Sequence, residues 1–152
     1  MACCALHAVQ DVKRLASSCL RAASVLHAAG VVHTDLQLAN TVWLDEEHCM
    51  VIDLELCRMA DTPLPSDVPP LTSWDDNTLE VCGDDKFFTP ASDLYQIGRL
   101  LQQLWMGRLQ QSQLARQFVE MLLGKKSLTN PDHPLTADEA LRHEWLASEG
   151  AA

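Results

Sequence analysis

The chain has 152 residues, enough for one domain with a real core, and its 47% hydrophobic and 21% charged content is ordinary for a globular protein. Of its net charge of −10, almost all lies in the middle: residues 1–40 carry three basic and two acidic side chains, residues 41–93 two and thirteen, residues 94–152 six of each. Such a balance argues against nucleic acid as a partner and lets phosphates approach only with a cation between.

No uncharged apolar run approaches the roughly 20 residues of a membrane span. Six cysteines (Cys3, Cys4, Cys19, Cys49, Cys57, Cys82) lack C-x-x-C pairing, which argues against zinc and for a reduced, intracellular and cytoplasmic chain.

In chain order, residues 5–29 read as one helix, since Val12, Leu15, Ala16, Cys19, Ala22, Ala23 and Leu26 recur at three- and four-residue steps. Gly30 supplies a left-handed stop. Thr41–Leu44 and Met50–Ile52 are two apolar runs of strand length around Asp45–Cys49, which predicts an antiparallel hairpin with a five-residue loop. Residues 56–88 hold Pro63, Pro65, Pro69, Pro70 and the Trp74–Asn77 acidic group, so a long polar loop is expected. Thr89-Pro90 opens a helix running to Gly107 through Leu94, Ile97, Leu101, Leu104 and Trp105. A helix at 112–123 stops at Gly124, with Lys125 and Lys126 at its negative end. Asn130–Leu135 is a turn. Thr136 and Glu139 form a capping box for a last helix bearing Leu141 and Trp145, before a frayed tail from Ala147. The fold class is therefore mainly α with a small β-hairpin, in one domain over 1–152.

Val31–Glu55 is the stretch that carries chemistry. Asn40 precedes the first hairpin strand and Asp53 follows the second, so pairing brings both to the hairpin's open end. Strands lie about 4.8 Å apart, close enough for two side-chain oxygens to share one hard cation such as Mg²⁺. Asp35, on the preceding loop, is placed to act there as a base. Read singly, Asp35 and Asn40 are also ordinary turn residues, and Asp93 could simply favour the first turn of its helix.

Several motifs in order resemble the C-terminal lobe of protein kinases. His33-Thr-Asp35-Leu-Gln-Leu-Ala-Asn40 resembles the catalytic loop H-R-D-L-x-x-x-N, and Asp53-Leu-Glu55 stands where D-F-G belongs. Thr78-Leu-Glu80 resembles A-P-E, and Ser92–Gly98 the start of the lobe's central helix. Asn130-Pro131, Leu135–Leu141 and His143–Leu146 resemble its last turn and helix. The wording T-D-L-x-x-x-N and I-D-L-E looks like divergent kinase-like families of algae, fungi and oomycetes. The resemblance implies ATP- and Mg²⁺-dependent phosphoryl transfer to a protein hydroxyl, of serine/threonine type if an N-terminal lobe completes the chain. It implies Asp35 as base, Asn40 and Asp53 as magnesium ligands, and Gln37 and Val42 beside the nucleotide, Val42 under the adenine. His33 and Leu54 are expected as packed spine residues. Asp93 is expected to hold backbone N–H groups of the catalytic loop.

The departures matter as much. No glycine-rich loop, strand lysine or partnering glutamate of an N-terminal lobe is present, so this lobe by itself is expected to be inactive unless another polypeptide supplies them. Thr34 stands where an arginine would answer a phosphate, Gln37 where a lysine would, and Glu55 where a glycine would. Pro134 replaces an arginine that would pair with Glu80. A non-catalytic, pseudokinase-type interaction module or a truncated remnant is the alternative expectation.

Overall fold

A computed structural model describes residues 9–46, 48–63, 88–105, 112–124 and 133–148. Helix α1 (Val9–Ala28) ends on Gly30, whose φ of 72° is the left-handed stop that its lack of a Cβ permits. Strand β1 (Val31–Val32) leads into the loop of Asp35. A 3-10 turn (Leu38–Asn40) then enters β2 (Thr41–Trp43), which pairs antiparallel with β3 (Cys49–Val51). The hairpin loop has five residues as expected, but at 44–48. Cys49 joins the strand because it lies opposite Trp43, and both pack on the core. Trp43 and Val51 share that inner face, while Val42 and Met50, directly opposite one another, face outward, as the two-residue strand period requires.

The expected polar loop over 56–88 holds a strand that sequence reasoning missed. Strand β4 (Arg58–Met59) pairs antiparallel with β1, with Val31 opposite Met59. Beyond it the chain returns to its starting point: Asp61 N–H donates to the Phe88 carbonyl at 2.9 Å and Phe88 N–H to that of Thr62 at 3.0 Å. The A-P-E-like Thr78–Glu80 and the Trp74–Asn77 group lie outside the described residues, as do Asn130-Pro131, Lys125 and Lys126.

Helix α2 (Pro90–Trp105) starts where Thr89-Pro90 predicts. The cap is not the threonine side chain, however. Thr89 Oγ1 is buried without a partner among the described residues, and Ser92 closes the turn instead through its N–H and hydroxyl on the Thr89 carbonyl, at 3.0 and 2.6 Å. Helix α3 (Gln113–Gly124) packs on α2 where Gly98 leaves no side chain; a Cβ there would meet Leu122 Cβ and Leu123 Cδ2 at 3.0 Å. The capping box at Thr136 and Glu139 is present, but the last helix is two: α4 (Ala137–Leu141) and α5 (Glu144–Ala147). His143 breaks it. Its backbone is extended and its Nδ1 accepts the Trp145 N–H at 3.1 Å, making it the cap of α5.

One core joins these helices. Leu15, Ala16, Cys19 and Leu20 of α1 meet Leu94, Ile97 and Leu101 of α2, Phe118 and Leu122 of α3, and Trp145. Trp145 stacks tilted on Phe118 with centroids 4.9 Å apart. Lys13, buried at the core's edge, donates to the carbonyl and hydroxyl of Ser148, so Ser148 is anchored rather than frayed.

Candidate functional site

The loop between β1 and β2 is held from beneath by the first turns of α2. The Asp93 carboxylate, fully buried, accepts the His33 N–H on Oδ2 at 2.8 Å and the Thr34 N–H on Oδ1 at 2.9 Å, as expected of it. Its Oδ2 also lies 2.8 Å from His27 Nε2, at the last turn of α1. One turn further along α2, Gln96 takes the Leu36 N–H on Oε1 at 2.8 Å and donates through Nε2 to the Thr34 carbonyl at 2.6 Å. A carboxylate accepts two N–H groups, whereas an amide can serve one donor and one acceptor at once. The two residues therefore answer the loop's backbone peptide by peptide.

Held this way, Thr34 adopts φ 71°, a left-handed conformation rarely open to a β-branched residue. Its hydroxyl donates to the Leu56 carbonyl at 2.9 Å and so joins the loop to the segment after Asp53. His33 is fully buried, with Nδ1 accepting the Asp35 N–H at 3.3 Å and Nε2 lying 3.3 Å from the Ile52 carbonyl. The companion expectation fails: Leu54, one residue past the left-handed Asp53, is 57% exposed and packs on no spine among the described residues.

Asp35 is 7% exposed and sits inside a ring of amides. Asn40 Nδ2 donates to its carbonyl at 2.9 Å and to Oδ2 at 2.7 Å, and Gln37 Nε2 reaches both Oδ1 and Oδ2 at 3.0 Å. Because the Asn40 nitrogen is committed to Asp35, its Oδ1 is the atom left as a donor to a cation. The Ile52 N–H donates to the Asn40 carbonyl at 2.9 Å, so Asp53 lies one residue beyond the partner of Asn40. Asp53 has φ 66° and an exposed carboxylate with no bonded partner among the described residues. Asp35, Gln37 and Asn40 are thus bonded together, with Asp53 adjoining them across the strand ends and not bonded to them. Val42, on β2, is 40% exposed and Met50 opposite it 46%, giving an apolar surface beside the polar group.

Two oxygen donors of the hard type, one amide and one carboxylate, suit Mg²⁺ carried on phosphates rather than a resident ion in a protein cage. Among the described residues there is no cluster of three or more His, Cys, Asp or Glu able to hold a metal. Cys57, close by, is not a ready nucleophile: burial, reinforced by the Asp93 carboxylate, pushes its thiol up. Nor does any described helix have the length and apolarity to cross a membrane.

His27 and Gln96 were missed in the sequence. The i, i+3 spacing of Asp93 and Gln96 puts both on one helix face and could have flagged the second; nothing local marks His27.

No family model matches the chain. It is 29% identical over 101 residues to a probable cyclin-dependent kinase 10 of Dictyostelium discoideum, a match covering 66% of this chain and 27% of that protein. It is 26% identical over 99 residues to a mitogen-activated protein kinase 12 of Danio rerio, covering 65% and 26%. The chain therefore matches about a quarter of the length of these relatives. Its fold is similar to that of a ROP18 kinase domain solved in complex with AMP-PNP and sucrose, with TM-score 0.68 and 16% identity over 91% of this chain and 41% of that one. Ordered motifs and fold together make this chain protein kinase-like, built as the C-terminal lobe of that superfamily.

Proposed function

We propose that this lobe is the base-and-metal half of a phosphoryl-transfer site acting on ATP·Mg²⁺ and a protein hydroxyl. In this reading Asp35 accepts or orients the proton of the hydroxyl, and Asn40 Oδ1 and the Asp53 carboxylate hold the magnesium. Val42, with Met50, forms the apolar floor for the base of the nucleotide. Magnesium on the phosphates would neutralise charge that the acidic chain otherwise repels. The observation that carries the proposal is the division of labour at Asn40. Its nitrogen fixes Asp35, which leaves its oxygen available beside the Asp53 carboxylate, itself without a bonded partner among the described residues.

Gln37 favours a second reading, of a lobe that keeps the fold without the reaction. It covers both oxygens of Asp35 and brings a neutral amide where the resemblance puts a lysine. Positioning and electrostatics supply most of phosphoryl-transfer catalysis. These 152 residues tested by themselves are therefore expected to bind ATP·Mg²⁺ weakly and to turn over little. Thermal unfolding with ATP, with and without Mg²⁺, tests both readings. A Mg²⁺-dependent rise in Tm that Asp53→Ala abolishes supports the site; a flat response of the wild-type chain supports the non-catalytic module.

A further inference from the structure

The Asp93 carboxylate accounts for only part of the hold on the catalytic loop, because it accepts and cannot donate. The peptide carbonyl before Asp35 and the N–H after it need a different partner. Gln96 meets both, with Oε1 on Leu36 N–H and Nε2 on the Thr34 carbonyl, and is itself only 5% exposed. Its amide orientation is chemically forced, since the reversed side chain would set oxygen against carbonyl and NH₂ against N–H. Residues Thr34 and Leu36 flank Asp35 directly, and Thr34 is held at φ 71°, a conformation that persists only when its surroundings over-determine it.

We infer that Gln96 is a positioning residue for Asp35: its amide clamps the peptides on either side and so aims the carboxylate at Gln37 and Asn40. A glutamine suits this task where a serine or alanine would not. Only a side chain carrying both a donor and an acceptor at its tip, on a stem of two methylenes, spans from α2 to both peptides. Buried groups on both loop peptides would otherwise stand unpaired. That this aiming matters for phosphoryl transfer rests on the function proposed above; that it happens does not.

The test is made on the full chain by nuclear magnetic resonance, without nucleotide. Gln96→Met keeps length and apolar packing and removes both bonds. The expected result is a folded protein in which Leu36 N–H loses about tenfold or more of its exchange protection. In the same variant the side-chain NH₂ signals of Gln37 and Asn40, which report their contact with Asp35, move from their wild-type positions. Gln96→Glu keeps an acceptor for Leu36 but opposes the Thr34 carbonyl. Leu36 then stays protected while the Gln37 and Asn40 signals still move, and this variant decides the matter should Gln96→Met unfold. Unmoved Gln37 and Asn40 signals in a folded variant that has lost the clamp would overturn the inference and leave Gln96 a packing residue. A wild-type chain that ignores ATP·Mg²⁺ would instead count against the proposed function, leaving the clamp standing.

Discussion

His27 Nε2 lies 2.8 Å from Asp93 Oδ2, tying the last turn of α1 to the first turn of α2 directly beneath the loop of Asp35. The same oxygen takes the His33 N–H, so one buried carboxylate serves two helices and a loop. Removing it leaves two buried backbone N–H groups without their acceptor and the part-buried His27 without its partner. Asp93→Ala is therefore expected to cost about 2–6 kcal/mol, at about 1–3 kcal/mol for each buried N–H left without an acceptor. Urea unfolding checks this; a loss below about 1 kcal/mol would show that water reaches the site and replaces the carboxylate.

At Thr34 two effects oppose each other. A left-handed β-branched residue stores about 1–3 kcal/mol of strain, and the Oγ1 bond to Leu56 returns about 1 kcal/mol. Thr34→Gly loses the bond but relieves the strain, so its stability should stay within about 1 kcal/mol of wild type. Thr34→Val keeps the strain and loses the bond, and should be less stable than the glycine variant by about 1–2 kcal/mol. This inverts the usual preference for valine over glycine at a buried position. Denaturation midpoints of the two variants settle the order.

Cys19 makes stability depend on alkaline pH. Its complete burial in α1, with the neighbouring Cys49, pushes the thiol up to about 12 from an ordinary 9.0. Above the ordinary value the unfolded chain releases this proton and the folded chain keeps it, so the unfolded state binds fewer protons and stability falls as pH rises. The loss runs from the ordinary thiol pKa up to the folded one, with a slope approaching about 1.4 kcal/mol per pH unit. Below pH 8 this contribution is fully present. Comparing the pH dependence of unfolding for wild type and Cys19→Ala between pH 8 and 10 isolates it; parallel curves would refute the assignment.

Val42 separates binding from folding. It is exposed, so Val42→Lys should change stability by no more than about 0.5 kcal/mol. If its face is the floor for a nucleotide base, the substitution removes ligand stabilisation, which for a ligand at about 100 times its Kd amounts to about 2.7 kcal/mol. A Tm shift with ATP·Mg²⁺ that survives Val42→Lys would move the base elsewhere.

Gly98 tests the α2–α3 contact. Gly to Ala inside a helix ordinarily gains about 1 kcal/mol. Here the new methyl meets Leu122 Cβ, which stands close to rigid backbone, at 3.0 Å. Overpacking costs about 1–3 kcal/mol, so Gly98→Ala should come out destabilising on balance. A gain in stability would mean that α3 shifts away freely.

What local pattern encodes was legible along the chain. The periodicity of α1, the Pro90 start of α2, the Gly30 stop, the Thr136 capping box and the hairpin that brings Asn40 toward Asp53 all depend on residues within a few positions of one another. The role of Asp93 was also legible, although only through resemblance. The splitting of the last helix was not, since it turns on whether His143 uses Nδ1 to cap Trp145 or points elsewhere. Nor was the exposure of Leu54, which depends on what packs around it rather than on its neighbours in sequence.

The sequence by itself determined the first three helices, the hairpin and the order of the polar residues Asp35, Asn40 and Asp53, which resembles that of protein kinases. Only the tertiary structure decided how they are held: β1 pairs with β4, His27 meets Asp93 across 66 positions, and Gln96 spans 60 to reach Leu36. The reason is physical. Caps, turns and helical periods are short-range preferences of the backbone, whereas a buried polar partner is chosen by whichever unpaired N–H or carbonyl the packing of distant helices brings within about 3 Å.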